Sequence, residues 1–221
     1  MKQILIIGAS GGIGAALTQS AQAQGQNVVT LSRSKDGFDL TDEASVKAHL
    51  GALEGPFDTI IVATGALEIS GAQPEKSIKS ITQKAMMDQF ALNAVGPALV
   101  LAHAADLLRK DARAVFAVLS ARVGSIGDNR LGGWISYRSA KAAVNQIVHT
   151  SAIELSRSHP QSICVALHPG TVATPFTQKY LGRHPAVEPD DAAHNLLSVI
   201  DDLTPKDTGA FFDWAGKSVP W

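Results

Sequence analysis

The chain has 221 residues, 45% of them hydrophobic, which suits one domain with one sizeable core and leaves no segment that reads as disordered. A formal net charge of -1, with no local basic stripe, argues against a nucleic-acid partner. One cysteine (Cys164) precludes an internal disulfide, and no apolar run reaches the length of a membrane span or a signal peptide, so the expectation is a cytoplasmic protein without a membrane partner.

In chain order, the first apolar run is Ile4–Ile7, of strand length and without alternation. It leads into Gly8-Ala9-Ser10-Gly11-Gly12-Ile13-Gly14 and then a helical segment, Ile13–Gln24. Glycines at such a strand-to-helix turn let backbone N–H groups approach a pyrophosphate, and the helix N-terminus adds its positive end. The second run, Val28–Leu31, ends in Ser32-Arg33-Ser34. A carboxylate there would take a ribose 2′-hydroxyl, whereas arginine suits a 2′-phosphate, so NADP(H) is expected. Asp36 lies close enough to keep NAD(H) open.

A helix over Glu43–Leu53 and a strand over Thr59–Ala63 follow, then a long apolar helix over Gln83–Arg109 and a strand over Ala114–Leu119. Tyr137-Arg138-Ser139-Ala140-Lys141 opens the next helical segment, Ser139–Arg157. Residues four apart share a helix face, so the phenol and the ammonium point the same way. A nearby ammonium favours phenolate, which would suit Tyr137 to give and take a proton. A strand over Ile163–Leu167 and a possible last strand at Phe211-Phe212-Asp213 complete the alternation. Residues 174–189, rich in Pro and Gly, read as a surface loop over a substrate. Strands of continuous apolarity alternating with helices predict a Rossmann-type α/β fold, a single domain over 1–221 with a doubly wound parallel sheet and helices on both faces. The seven histidines show no metal spacing, so no metal is expected. Trp134 and Phe176 flank the predicted cleft.

Gly8-x3-Gly12-x-Gly14, Asn93-Ala94-Val95-Gly96 and Tyr137-x3-Lys141 together resemble the short-chain dehydrogenase/reductase family, in order and over nearly the whole chain. The resemblance extends to Asp39-Leu40, the family's adenine-contacting pair, and to Ala63-Thr64-Gly65, an N-A-G element without its asparagine. It also takes in Pro169-Gly170-Thr171-Val172-Ala173-Thr174, which borders the nicotinamide amide. The stretch Leu119–Ile126 and the ending Gly216–Trp221 look like the C-factor and sniffer-type carbonyl reductase branch.

The resemblance implies hydride transfer between a nicotinamide and a small carbonyl or alcohol. Tyr137 would be the proton donor, Lys141 would hold the ribose hydroxyls and lower the tyrosine pKa, and Asn93 would hold a relay water. It also implies a homodimer or homotetramer through the two long helices. The family's element after the fourth strand corresponds to Ala63–Gly65, and its serine after the fifth strand falls on Ala121. Ser120, one residue earlier, is the preferred substitute; Ser125, or no hydroxyl at all, are the alternatives. Against the enzyme stands a second reading, a cofactor-binding regulatory or signalling protein with weak turnover.

Overall fold

The computed structural model describes residues 1–174, 177–180 and 185–221. Six strands, β1 (Gln3–Ile7), β2 (Asn27–Leu31), β3 (Thr59–Val62), β4 (Ala114–Leu119), β5 (Ser162–His168) and β6 (Phe211–Asp213), form one sheet in the order β2-β1-β3-β4-β5-β6. Every pairing between them is parallel. β3 and β4 are buried at every residue, which is why their sequences are apolar without alternation.

Successive strand residues feed opposite cores. Leu5, Ile7, Ile60, Val62, Phe116 and Val118 pack with α3 (Glu43–Gly51), α5 (Gly96–Ala104) and α6 (Ile135–Ser158). Ile4, Ile6, Ile61, Val115 and Ala117 pack with α1 (Gly12–Ala23) and α7 (Pro189–Asp202). β1 lies between β2 and β3, so the chain winds outward in both directions from it. A crevice therefore opens beyond the carboxyl ends of β1 and β3.

Three local features differ from the expectations. The stretch between β2 and β3 holds only the short α2 (Arg33–Asp36) and α3, with no strand, so Ala63–Gly65 follows the third strand and Ala121 the fourth. The long helix expected over Gln83–Arg109 is built from α4 (Gln83–Phe90), a π turn (Ala91–Val95) and α5, ending in a 3₁₀ turn at Leu107. α7 was not anticipated. Pro189 opens it, Asp190 and Asp191 sit in its first turn, and Ala192, Ala193, Leu196, Leu197 and Ile200 form its buried face.

Of the expected substrate loop, residues 175, 176 and 181–184 lie outside the described residues, Phe176 and His184 among them. The helical stretch Gln83–Leu107, with a mean hydropathy of 1.4, has the length and composition of a membrane span, against the expectation that no apolar run reaches that length. Asn93, Ala94, Val100, Leu101 and Ala104 bury one side of it in the protein.

Candidate active site

The glycine string forms the turn from β1 to α1. A Cβ on Gly14 would lie 2.2 Å from the Gly8 carbonyl oxygen, so the helix can start this close to the strand only with glycine there. Gly11 caps α1 without a side-chain hydrogen bond, which leaves the first helical N–H groups, Gly12 and Ile13 among them, to a ligand. Ser10, Gly11 and Gly12 are exposed. Thr174 packs directly on Gly12, where an added Cβ would come 2.6 Å from its methyl, so the segment after β5 borders the same turn. Val172 is buried and bridges to Val187. Pro169 is half-buried and Gly170 turns the chain at φ 82°.

At the end of β2, Asp36 is committed locally. Its carboxylate accepts the Ser32 N–H at 2.7 Å and the Ser32 hydroxyl at 3.0 Å. Arg33 is exposed and, among the described residues, makes no ion pair. Asp39 holds Thr41 through its N–H (2.9 Å) and hydroxyl (2.7 Å), bonds that lower its pKa. Leu40 is buried against Gly96, so its side chain belongs to the core.

Beyond β3, Ala63 continues the sheet by donating its N–H to Ile7. The buried Thr64 hydroxyl has no hydrogen-bond partner among the described residues. At Gly65 (φ 146°) a Cβ would sit 2.8 Å from Asn93 Oδ1 and 3.3 Å from Lys141 Nζ, so both side chains converge on that glycine. Asn93, in the π turn, is fully buried. It donates to Gln89 Oε1 at 2.7 Å and to the Ala66 carbonyl at 3.0 Å, and it accepts the Ala66 N–H at 3.2 Å. Gln89 in turn donates to the Leu67 carbonyl at 2.8 Å. Gln89 was missed in the sequence, although its i, i+4 relation to Asn93 places the two side chains on one helix face.

Tyr137 and Lys141 lie one turn apart on α6, both buried, with the ammonium 5.8 Å from the phenol ring centroid. Lys141 donates to the Leu119 carbonyl at 2.9 Å. Burial pushes the lysine down to about 8. Burial also pushes the Tyr137 phenol above its ordinary value, so the lowering expected from Lys141 does not win here. In the protein alone the phenol is therefore held in the protonated form, the form a proton donor needs.

Trp134, in left-handed backbone at φ 52°, precedes α6. Its ring stands edge-on to Tyr137 at 6.5 Å and to Tyr180 at 5.4 Å. Tyr180 and Lys179 both bond Glu68, at 2.9 and 2.8 Å, which ties the segment after β5 to the loop after β3.

The hydroxyls weighed for the missing serine are both engaged. Ser120 donates to Asn145 Oδ1 at 2.6 Å, against α6. Ser125 donates to the Pro220 carbonyl at 2.5 Å. Beside them at the end of β5, burial and then the Arg122 charge push His168 down to about 4, so it stays neutral.

The short-chain dehydrogenase model matches residues 2–183. The chain is 28% identical to 1-hydroxy-2-glutathionyl-2-methyl-3-butene dehydrogenase of Rhodococcus sp. (strain AD45), with all of both chains covered. It is 33% identical to C-signal of Myxococcus xanthus, over 76% of this chain and 94% of that one. Its fold superposes on the NADPH-bound carbonyl reductase from chicken fatty liver with a TM-score of 0.82 at 24% identity, covering 100% and 99% of the two chains. The glycine turn at the switch point and the meeting of Asn93 and Lys141 at Gly65, with Tyr137 one turn from Lys141, agree with these matches, and the chain belongs to the short-chain dehydrogenase family.

Proposed function

We propose that this family member, an NAD(P)-dependent oxidoreductase, uses NADP(H) in preference to NAD(H) and interconverts a small carbonyl compound and its alcohol. The observation that carries the reading is the meeting of Asn93 and Lys141 at Gly65, with Tyr137 one turn from Lys141, beside the β1/β3 crevice. The cofactor fits what is there. The uncapped N–H groups of α1 would hold a pyrophosphate, the Thr64 hydroxyl at the switch point has no partner among the described residues, and Arg33 is available to a 2′-phosphate while Asp36 is occupied by Ser32. The NADPH-bound chicken carbonyl reductase, alike in fold, lends support.

The chemistry supplied by a bound nicotinamide is a hydride at the carbonyl carbon. Tyr137 holds the proton for the carbonyl oxygen. Lys141, anchored on Leu119, would hold the ribose hydroxyls when the cofactor is bound. Asn93, fixed by Gln89 and Ala66, marks where a relay water would sit. Residues 1–221 act as one domain in this reading, and a homodimer or homotetramer is supported by Val95 and Ile153, which stand 49% and 53% exposed on the two long helical stretches.

The test is NADPH consumption against a panel of aldehydes and ketones, with Tyr137→Phe alongside wild type. The variant is expected to bind NADPH as wild type does and to lose turnover by at least about 10²-fold, the scale of proton transfer from a positioned acid. Retained turnover refutes the role of Tyr137. One observation favours a cofactor-binding regulatory protein instead: Ser120 and Ser125 both spend their hydroxyls on the protein. Tight NADPH binding with no turnover on any carbonyl would select that reading.

A further inference from the structure

Glu75 is a buried carboxylate that the reading above does not use. It lies in the loop between β3 and α4 and is 6% exposed. Among the described residues it has no cationic partner. Among the described residues its hydrogen bonds go to Trp134, just before α6, and to Ser136 in the first turn of α6, some sixty residues onward in sequence. Its backbone carbonyl accepts the Trp134 N–H at 2.6 Å. Its carboxylate accepts the Ser136 N–H at 3.2 Å and, in a shorter contact, the Ser136 hydroxyl. Ser136 is the residue before Tyr137.

A carboxylate without a cation is costly to bury, and hydrogen bonds from a helix start offset that cost. Its placement has a geometric consequence. Trp134 and Ser136 are pinned by Glu75, while Arg138, on the other side of Tyr137, donates to the carbonyls of Gly133 at 2.9 Å and Val123 at 3.1 Å. Glu75, Ser136, Tyr137 and Gln89 also line one small cavity of about 10 Å³, room for no more than one water. The Glu75 clamp and the Gln89–Asn93 pair thus meet around Tyr137.

We infer that Glu75 is a positioning residue, which clamps the first turn of α6 so that the Tyr137 phenol is held where a substrate oxygen meets it. The inference rests on the reading of Tyr137 as proton donor. A bound group held loosely loses rate steeply, because reacting atoms must lie within a narrow range of distance and angle. The clamp needs an acceptor for the Ser136 N–H and a partner for its hydroxyl. It does not need a negative charge. A glutamine can accept the N–H with its amide oxygen and donate to the hydroxyl with its amide nitrogen.

The experiment compares Glu75→Ala and Glu75→Gln in three measurements: steady-state kinetics on the carbonyl panel, NADPH affinity by fluorescence, and hydrogen exchange over residues 134–141. Glu75→Ala is expected to lower kcat about 10- to 100-fold, with KM and NADPH affinity within about threefold of wild type, and to speed exchange at the start of α6 but not in β4 or β5. Glu75→Gln is expected to recover kcat to within about threefold. Wild-type kcat in Glu75→Ala, equal impairment of both variants, or unchanged exchange overturns the clamp. Should Glu75→Ala fail to fold, Ser136→Ala removes one bond and keeps the carboxylate, and wild-type kcat there overturns the proposal. A wild-type protein that reduces no carbonyl overturns the Tyr137 reading instead, and the exchange data alone then decide for or against the clamp.

Discussion

Lys141 is a cation kept where charge is disfavoured. Burial lowers it from 10.5 to about 8, and unfolding returns it to its ordinary value. Between pH 8 and 10.5 the unfolded chain therefore binds more protons at this residue than the folded one, so its contribution to stability rises with pH across that window. Below about pH 8 the full burial penalty is present. In Lys141→Met that penalty is gone, so the melting temperature of the variant minus that of wild type is expected to shrink as pH rises from 7 to 10. A flat or widening difference in differential scanning fluorimetry of the cofactor-free proteins contradicts the burial argument. Ser120 carries a second expectation at this scale. Its hydroxyl is directed at Asn145, so Ser120→Ala is expected to lower kcat by less than about tenfold, against the 10²–10³-fold of a direct oxyanion donor. A loss of 10²-fold or more would mean that the hydroxyl swings to the substrate. Ser120, Ser125 and Ala121 all lie between β4 and α6, but the direction of a hydroxyl at a strand end depends on the helix packed over it, which sequence spacing does not encode.

At the scale of elements, the proposed preference for NADP(H) rests on the turn from β2 into α2. Ser32 caps α2 and draws Asp36 back onto itself, while Arg33 projects outward. Arg33→Ala is expected to raise the NADPH dissociation constant about 10- to 100-fold, the worth of hydrogen bonds to a charged group, and to change NADH affinity little. Equal weakening of both cofactors would count against a 2′-phosphate contact. The strands were legible because burial on both faces leaves uninterrupted apolar runs such as Thr59–Val62 and Ala114–Leu119. The π turn at Asn93 was not, because one extra residue in a helical turn leaves the apolar pattern on either side almost intact. α7 was hidden by the prolines and glycine ahead of it, although Ala192, Ala193, Leu196, Leu197 and Ile200 recur at helical spacing. Glu75 was unreadable for a different reason: its partners Trp134 and Ser136 lie far along the chain, and only the tertiary fold brings them together.

At the scale of the whole molecule, one sheet with two unequal coats of helix accounts for where everything lies. The crossovers that send β1 outward in both directions also bring the glycine turn, Thr64 and the first turn of α6 to one edge. The six strands correspond to the six apolar stretches of the sequence, and the crevice lies at the switch point between β1 and β3. The sheet also seals Cys164 in its interior, in the middle of β5, where burial pushes the thiol up to about 12. It is the sole cysteine in the sequence. A thiol so protonated and so enclosed does not react with maleimides or iodoacetamides while the fold is intact. The native chain is therefore a blank background for site-specific labelling: a cysteine introduced at an exposed position such as Leu131 would carry a fluorophore or spin probe alone, without first deleting the natural one.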